Sequence, residues 1–187
     1  MEILVITGPP YSGKGTQCEI LNKQLQYKHI STGDRCRLEK ENGTEIGKTM
    51  SAYEEKGDLV PDAIMKELFS QILDENLSNK GIILDGYPRT EAQVNDLIEL
   101  VAQKDLKITK VLNIEVPKTE LLERAKKRAQ TSNRKDDKDP QIHIKRIEVF
   151  EAATRPAITY MKSKLEVKTF DGLGSIDQIT ERIKASL

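Results

Sequence analysis

The sequence predicts an α/β protein: a five-stranded parallel sheet with helices on both faces, interrupted by two polar insertions. Five short apolar runs, Ile3 to Thr7, His29 to Ser31, Gly81 to Asp85, Val111 to Glu115 and Val167 to Phe170, alternate with amphipathic helical patterns. That alternation is the signature of crossover units feeding one sheet. Residues 8–16 read Gly-Pro-Pro-Tyr-Ser-Gly-Lys-Gly-Thr directly behind the first run and open the first helical pattern, as a phosphate-binding loop does. A chain of 187 residues suffices for one good core, so one domain spanning 1–187 is expected, with the insertions as its mobile parts.

The loop comes first. Glycines let consecutive backbone N–H groups turn inward as an anion nest, the helix predicted from Thr16 to Gln26 offers its positive end, and Lys14 reaches the β/γ-phosphates. After the lysine this motif wants Ser or Thr for a magnesium ion; here Gly15 follows, with Thr16 one place later. Tyr11 is the irregular member, since a Cβ and a ring disfavour positive φ. The backbone there either avoids that region or carries strain of about 1–3 kcal/mol, and the expected consequence is weaker ATP affinity without loss of activity.

Next, Ile64, Met65, Leu68, Phe69, Ile72 and Leu73 fall at three- and four-residue spacing, which predicts a helix over Asp62 to Glu75 with one buried stripe. Val94, Leu97, Ile98 and Val101 repeat the pattern within Thr90 to Lys104. Ser175 and Gln178 form a capping-box pair ahead of Ile176, Ile179 and Ile183, and Pro156 should break or kink the helical region from Pro140 to Leu165. Residues 32–60 are polar, helix-prone and punctuated by Gly43, Gly47 and Gly57, while 129–139 contain almost nothing apolar. Both are placed to fold over the C-terminal edge of the sheet, the usual ligand crevice.

Thirty Lys+Arg balance thirty Asp+Glu, which argues against bulk binding to nucleic acid or an anionic membrane. Cys18 and Cys36 are too few for a zinc cage and suit a reducing compartment, so no zinc and a cytoplasmic address are expected. No apolar stretch approaches the roughly 20 residues of a membrane span, and no basic leader precedes the first strand. His29 and His143 lack metal-ligand spacing, and the two cysteines read as small apolar fillers.

A phosphate loop alone leaves a GTPase, a motor ATPase and a kinase open. The remaining cations narrow the choice: Lys14, Arg37, Arg89, Arg128, Arg134 and Arg146 come from separate segments, and a guanidinium fork grips phosphate oxygens bidentately. Arg124 and Arg128 lie one helical turn apart and project from one face; solvated pairing with Glu120 and Glu123 is the alternative. Asp85 ends an apolar strand, the position of a carboxylate that holds magnesium through water, and Asp34 is similar but could equally cap a helix. Thr90 and Gln93 have capping-box spacing, a sufficient structural reason for both. A Gln amide also suits the adenine edge.

Three motifs carry a family resemblance: His29-Ile-Ser-Thr-Gly-Asp-Arg-Cys-Arg37, Asp58-Leu-Val-Pro-Asp62 and Leu84-Asp-Gly-Tyr-Pro-Arg-Thr-Glu-Ala-Gln93. In order and spacing the chain resembles adenylate kinases over its whole length, with the short-lid form's interval between Arg128 and Arg134. The resemblance implies a P-loop NTPase-type core of 1–31, 61–128 and 140–187, an NMP-binding insert at 32–60 and a short lid at 129–139. It implies reversible transfer between ATP and AMP, giving two ADP, with Mg2+ arriving on ATP, and a monomer acting on these small molecules.

Residue by residue, the resemblance gives Lys14, Arg89, Arg128, Arg134 and Arg146 catalytic roles. Tyr11, Ser12, Gly13, Lys14, Gly15, Thr16, Arg124, Arg128 and Gly174 fall at ATP positions, with Arg124 against the adenine. Thr32, Arg37, Asp58, Leu59, Val60, Gly86, Tyr87, Pro88, Arg89, Gln93, Arg134 and Arg146 fall at AMP positions, and Asp85 and Asp34 at magnesium positions. The related UMP/CMP kinases have Ala in place of Thr32 and Asn-rich sequence after the Pro-Arg. They remain the nearest alternative, followed by a regulatory protein that binds nucleotides without turnover. Arg35 stands where the family has an apolar residue, either as an AMP contact or as a solvated side chain. The interval before Arg146 is one residue longer than in relatives, so Lys145 competes for the last clamp position.

Overall fold

In β1 (Glu2–Thr7) alternate side chains leave opposite faces of the sheet, and from Ile3 onward both sets are buried. Ile3 and Val5 join one apolar cluster; Leu4 and Ile6 join another. A strand buried on both faces belongs at the centre of a parallel sheet, and β1 lies there. The computed structural model describes residues 1–131 and 138–187. Its five strands are all parallel in the order β2-β3-β1-β4-β5, with β2 at Lys28–Ser31, β3 at Gly81–Asp85, β4 at Lys107–Glu115 and β5 at Val167–Asp171. The strand order reverses beside β1. The phosphate loop therefore emerges at the switch point, where a sheet of this kind opens a crevice.

Helix α1 (Lys14–Leu25) covers one face, and its Cys18 and Leu21 pack with Leu121 of α6 (Lys118–Thr131) and with Ile179 and Ile183 of α9 (Ile176–Lys184). On the other face, α4 (Asp62–Asn76), α5 (Glu91–Gln103) and α8 (Arg155–Lys162) deliver Leu68, Phe69, Ile72, Val94, Leu97, Ala157 and Ile158 to the second cluster. The capping box at α9 forms as its spacing predicts, with Ser175 N donating to Gln178 Oε1 at 2.9 Å and Gln178 N donating to Ser175 Oγ at 3.2 Å.

The insert at 32–60 folds as two helices, α2 (Thr32–Glu41) and α3 (Glu45–Glu54). Asp34 does not cap α2: the cap is Ser31, whose Oγ accepts from Asp34 N at 3.2 Å. Strand β4 starts four residues before the predicted Val111, because its leading Lys107 to Lys110 pairs with β1 and so gains order from tertiary hydrogen bonds. Pro156 does not end the long C-terminal helical region. Helix α7 (Pro140–Val149) runs into a π-helical turn, Phe150–Thr154, and continues as α8 with Pro156 in its first turn. The proline follows directly on the widened π-turn, a place where the regular hydrogen-bond ladder is already interrupted. Of the lid expected at 129–139, residues 132–137, Arg134 among them, lie outside the described residues.

Candidate active site

Gly13 has φ of 91°, and a Cβ added there would meet nothing within 4 Å. It is the left-handed N-cap of α1, so the glycine serves backbone geometry, turning the loop N–H groups toward open space at a positive helix end. Lys14 Nζ donates to the carbonyls of Gly8 and Pro9 at 2.8 and 2.7 Å, curled across the loop it serves. Burial lowers its pKa to about 8, with the Asp85 carboxylate opposing the shift. Ser12 is buried within the loop, with 1 % of its surface exposed, and Arg124 donates to its carbonyl at 3.4 Å.

Tyr11 does carry the strain that a side chain in this loop risks, since its φ is 68°. Contacts at both ends of the ring offset it. The hydroxyl and His143 Nδ1 of α7 share a 2.5 Å hydrogen bond, the two rings meet edge-on with centroids 5.2 Å apart, and the Arg128 guanidinium lies 5.7 Å from the tyrosine ring centre. Tyr11 thus forms a wall between the loop and two helices.

Loop, insert and helices enclose a cleft of about 710 Å³. Lys14, Arg37, Arg89, Arg124, Arg128 and Arg146 all line it, brought from the loop, α2, the turn after β3, α6 and α7. Thr16, Gly15, Asp58, Leu59, Gly86 and Pro88 line it too, as do Asp34 and Asp85. Asp34 and Arg37 form an ion pair at its rim. Lys145 pairs with Asp58 at 2.9 Å and is not among the lining residues, while Arg146 occupies the cleft wall. Arg124 pairs with Glu120, one of its two sequence readings, and also lines the cleft: Nε donates to Glu120 at 2.8 Å, and Nη2 donates to the Gly172 carbonyl at 2.9 Å, which fixes the guanidinium plane beside the loop after β5.

At the far end a smaller cavity of about 30 Å³ is lined by Thr32, Leu59, Val60, Arg89 and Gln93. Gln93 Oε1 accepts from Arg89 N at 2.8 Å and its Nε2 donates to Asp62 at 2.7 Å. The amide is thus locked in one orientation, and each end keeps one further hydrogen-bond valence. Gly86, φ 86°, admits no side chain, since a Cβ would stand 2.7 Å from Thr32 Oγ1 and 2.9 Å from Arg89 Nη2. Arg89 Nε donates to the Gly86 carbonyl at 2.5 Å, so the turn itself aims that arginine.

Among the described residues, three positions implied for nucleotide, Ser12, Tyr87 and Gly174, line neither cavity. The Tyr87 side chain points into the core, stacked on Phe69 with centroids 4.4 Å apart, and Gly174 sits on the β5–α9 loop with Gln178 Oε1 close to where its Cβ would be. Arg35 is no cleft residue. It pairs bidentately with Glu75 of α4 at 2.7 and 2.9 Å and with Glu39 at 2.9 Å.

Sequence reasoning missed two groups. Glu54 lines both cavities, and burial raises its carboxyl pKa against the pull of Arg37, Arg89 and Arg146. Cys18, His29 and Asp85, far apart in sequence, put one ligand atom each within 4.8 Å of the others. No spacing rule reports either arrangement, because each comes from neighbouring elements rather than one helix.

A parallel sheet with a phosphate loop at its switch point, facing arginines across one cleft, defines a P-loop nucleotide transferase. The family model described as adenylate kinase matches residues 6–166. The chain is 40% identical over 176 residues to the adenylate kinase of Bacteroides thetaiotaomicron, covering 94% of this chain and 93% of that one. It is 37% identical over 186 residues to the adenylate kinase of Thermus thermophilus, covering 100% and 97%. The chain belongs to the adenylate kinase family and is an enzyme of that type.

Proposed function

We propose that the protein transfers the terminal phosphoryl group of ATP to AMP, reversibly and with magnesium, giving two ADP. The observation that carries the reading is the single cleft that gathers six cationic side chains between a phosphate loop and a second small cavity. The acceptor is already a phosphate oxygen, so no side chain need act as base, and the loose transition state asks for charge and alignment. Lys14 holds the β/γ-phosphates. Arg89, Arg128 and Arg146 clamp the phosphoryl in flight, with Arg134 joining them from the lid, and each clamp contributes about two to three orders of magnitude in rate.

Arg124, pinned by three partners, offers a flat cation to the ATP adenine beside the loop carrying Gly174. Arg37 and Arg89 take the AMP phosphate, while Thr32, Leu59, Val60 and the spare valences of Gln93 receive its base. Tyr87 supports this pocket from beneath. Asp85 lines the cleft with Thr16 and would hold magnesium through water, with Asp34 as a further oxygen donor; hard oxygen ligands on an open cleft suit that ion. When bound, magnesium neutralises charge on the bridging phosphates.

In this reading the chain is one domain, with residues 32–60 closing over AMP and 129–139 over ATP to expel water. Both cysteines are free, and among the described residues no helix is long and apolar enough to cross a membrane; a cytoplasmic monomer is part of the proposal. The test is an acceptor panel under fixed Mg-ATP. AMP should outpace UMP and CMP by about two orders of magnitude or more; equal rates, or nucleotide binding without ADP formation, would defeat the assignment.

A further inference from the structure

We propose that Cys18, His29 and Asp85 form a binding site for a thiophilic divalent cation such as Zn2+, at the floor of the cleft and distinct from the nucleotide's magnesium. The three come together because of the topology. Ser31 of β2 pairs with Asp85 of β3 and His29 pairs with Ile83, so His29, Ile83 and Asp85 share one face of the sheet. Cys18 projects from α1, which covers that face, and Ile83 packs in the same apolar cluster as Cys18.

The geometry is near that of a tetrahedral ion. Ligands at zinc bond lengths stand about 3.5 Å apart around the metal; His29 Nε2 and Asp85 Oδ2 already stand at 3.5 Å. The Cys18 sulfur lies within 4.8 Å of the other two ligand atoms, leaving roughly 1 Å to close. His29 Nε2 is buried and makes no hydrogen bond, a condition a nitrogen ligand relieves at once. Entry is open, because His29 and Asp85 both line the cleft. A donor set of sulfur, imidazole and carboxylate selects zinc, cobalt or copper over magnesium.

Asp85 is the shared element. While it binds the thiophilic ion it is lost to the nucleotide's magnesium, so zinc should inhibit and magnesium should relieve the inhibition. This second consequence rests on the phosphoryl-transfer reading; the binding does not.

Cobalt is the probe, titrated into the full-length, metal-free protein without nucleotide. One equivalent should raise a near-ultraviolet thiolate-to-cobalt band that zinc abolishes. Cys18→Ser should remove the band, His29→Asn should weaken cobalt affinity by roughly tenfold or more, and Cys36→Ser should leave both unchanged. Absence of the band in the natural sequence, its survival in Cys18→Ser, or its loss in Cys36→Ser would overturn the site. Should Cys18→Ser fail to fold, the His29→Asn titration decides, with unchanged affinity counting against the proposal. Because the band is read without substrate, failure of the acceptor panel would leave it standing. Zinc inhibition indifferent to magnesium would refute the sharing of Asp85.

Discussion

The Tyr11 hydroxyl and His143 Nδ1 lie 2.5 Å apart, joining the phosphate loop to α7 across 132 residues of sequence. The bond and the edge-on ring contact balance a left-handed backbone that would suit glycine better. Tyr11→Phe keeps the strain and loses the bond, so stability should fall by about 1 kcal/mol, read as a lower midpoint in urea. Tyr11→Gly loses the contacts and the strain together. Its midpoint should move less, while KM for ATP should drop as the wall opens. An unchanged KM would mean the ring does not obstruct the donor.

Lys14 reports on its own pocket. Burial, opposed by Asp85, holds its pKa near 8 against 10.5 for a free lysine. Between those values the unfolded chain binds more protons than the folded one, so this residue makes the fold more stable as pH rises through that window. A bound triphosphate restores the charge. ATP binding near pH 8 should therefore take up part of a proton, visible as calorimetric heats that vary with the ionisation enthalpy of the buffer. Identical heats in every buffer would contradict this.

Arg89→Ala and Lys14→Ala should each lower kcat by about two to three orders of magnitude, with the fold intact by circular dichroism. Near-normal turnover in either variant would dismiss the corresponding role.

Glu54 places a carboxylate among the arginines that the AMP phosphate must reach. Removing its charge should lower KM for AMP severalfold in Glu54→Gln, through about 1 kcal/mol of relieved repulsion. A raised KM would mean that the carboxylate instead holds those arginines in place.

The Arg35–Glu75 pair ties α2 to α4, and the hydrogen bond to Arg35 holds the Glu75 carboxyl below its usual range. Its stabilisation is present above the ordinary glutamate pKa and lost as pH falls through the lowered one. Both groups are partly exposed, so Glu75→Gln should cost no more than about 1 kcal/mol, and less in high salt. A salt-independent loss would point to packing rather than charge.

The core was legible because period and composition record it directly: β3 falls on its predicted residues, and α4 differs by one residue at its C-terminal end. The start of β4 was not, since a polar Lys107 to Lys110 is ordered by its neighbour strand rather than by its own propensity. Within the site, residues carried by contiguous motifs, such as Lys14 and Arg89, were readable. Glu54 was hidden because an acid among phosphate-gripping arginines contradicts the simplest charge argument. His29 was set aside for want of a neighbour in sequence, whereas its neighbours come from α1 and β3. Tyr87 is the reverse case, a motif residue whose side chain lies in the hydrophobic interior, which the motif alone does not reveal.

The π-helical turn at Phe150–Thr154 is where one continuous rod changes sides. Ile147 before it packs with the α1 cluster, while Phe150 and Ala157 pack with the α4 and α5 cluster. A wide turn absorbs an extra residue without breaking the rod. Trimming that residue would rotate everything on one side by about 100°, either swinging Arg146 off the cleft or prising α8 from the interior. The odd-sized turn is thus the gear that keeps an arginine and a hydrophobic anchor in phase, and chain length there is less free to drift than at the surface loops.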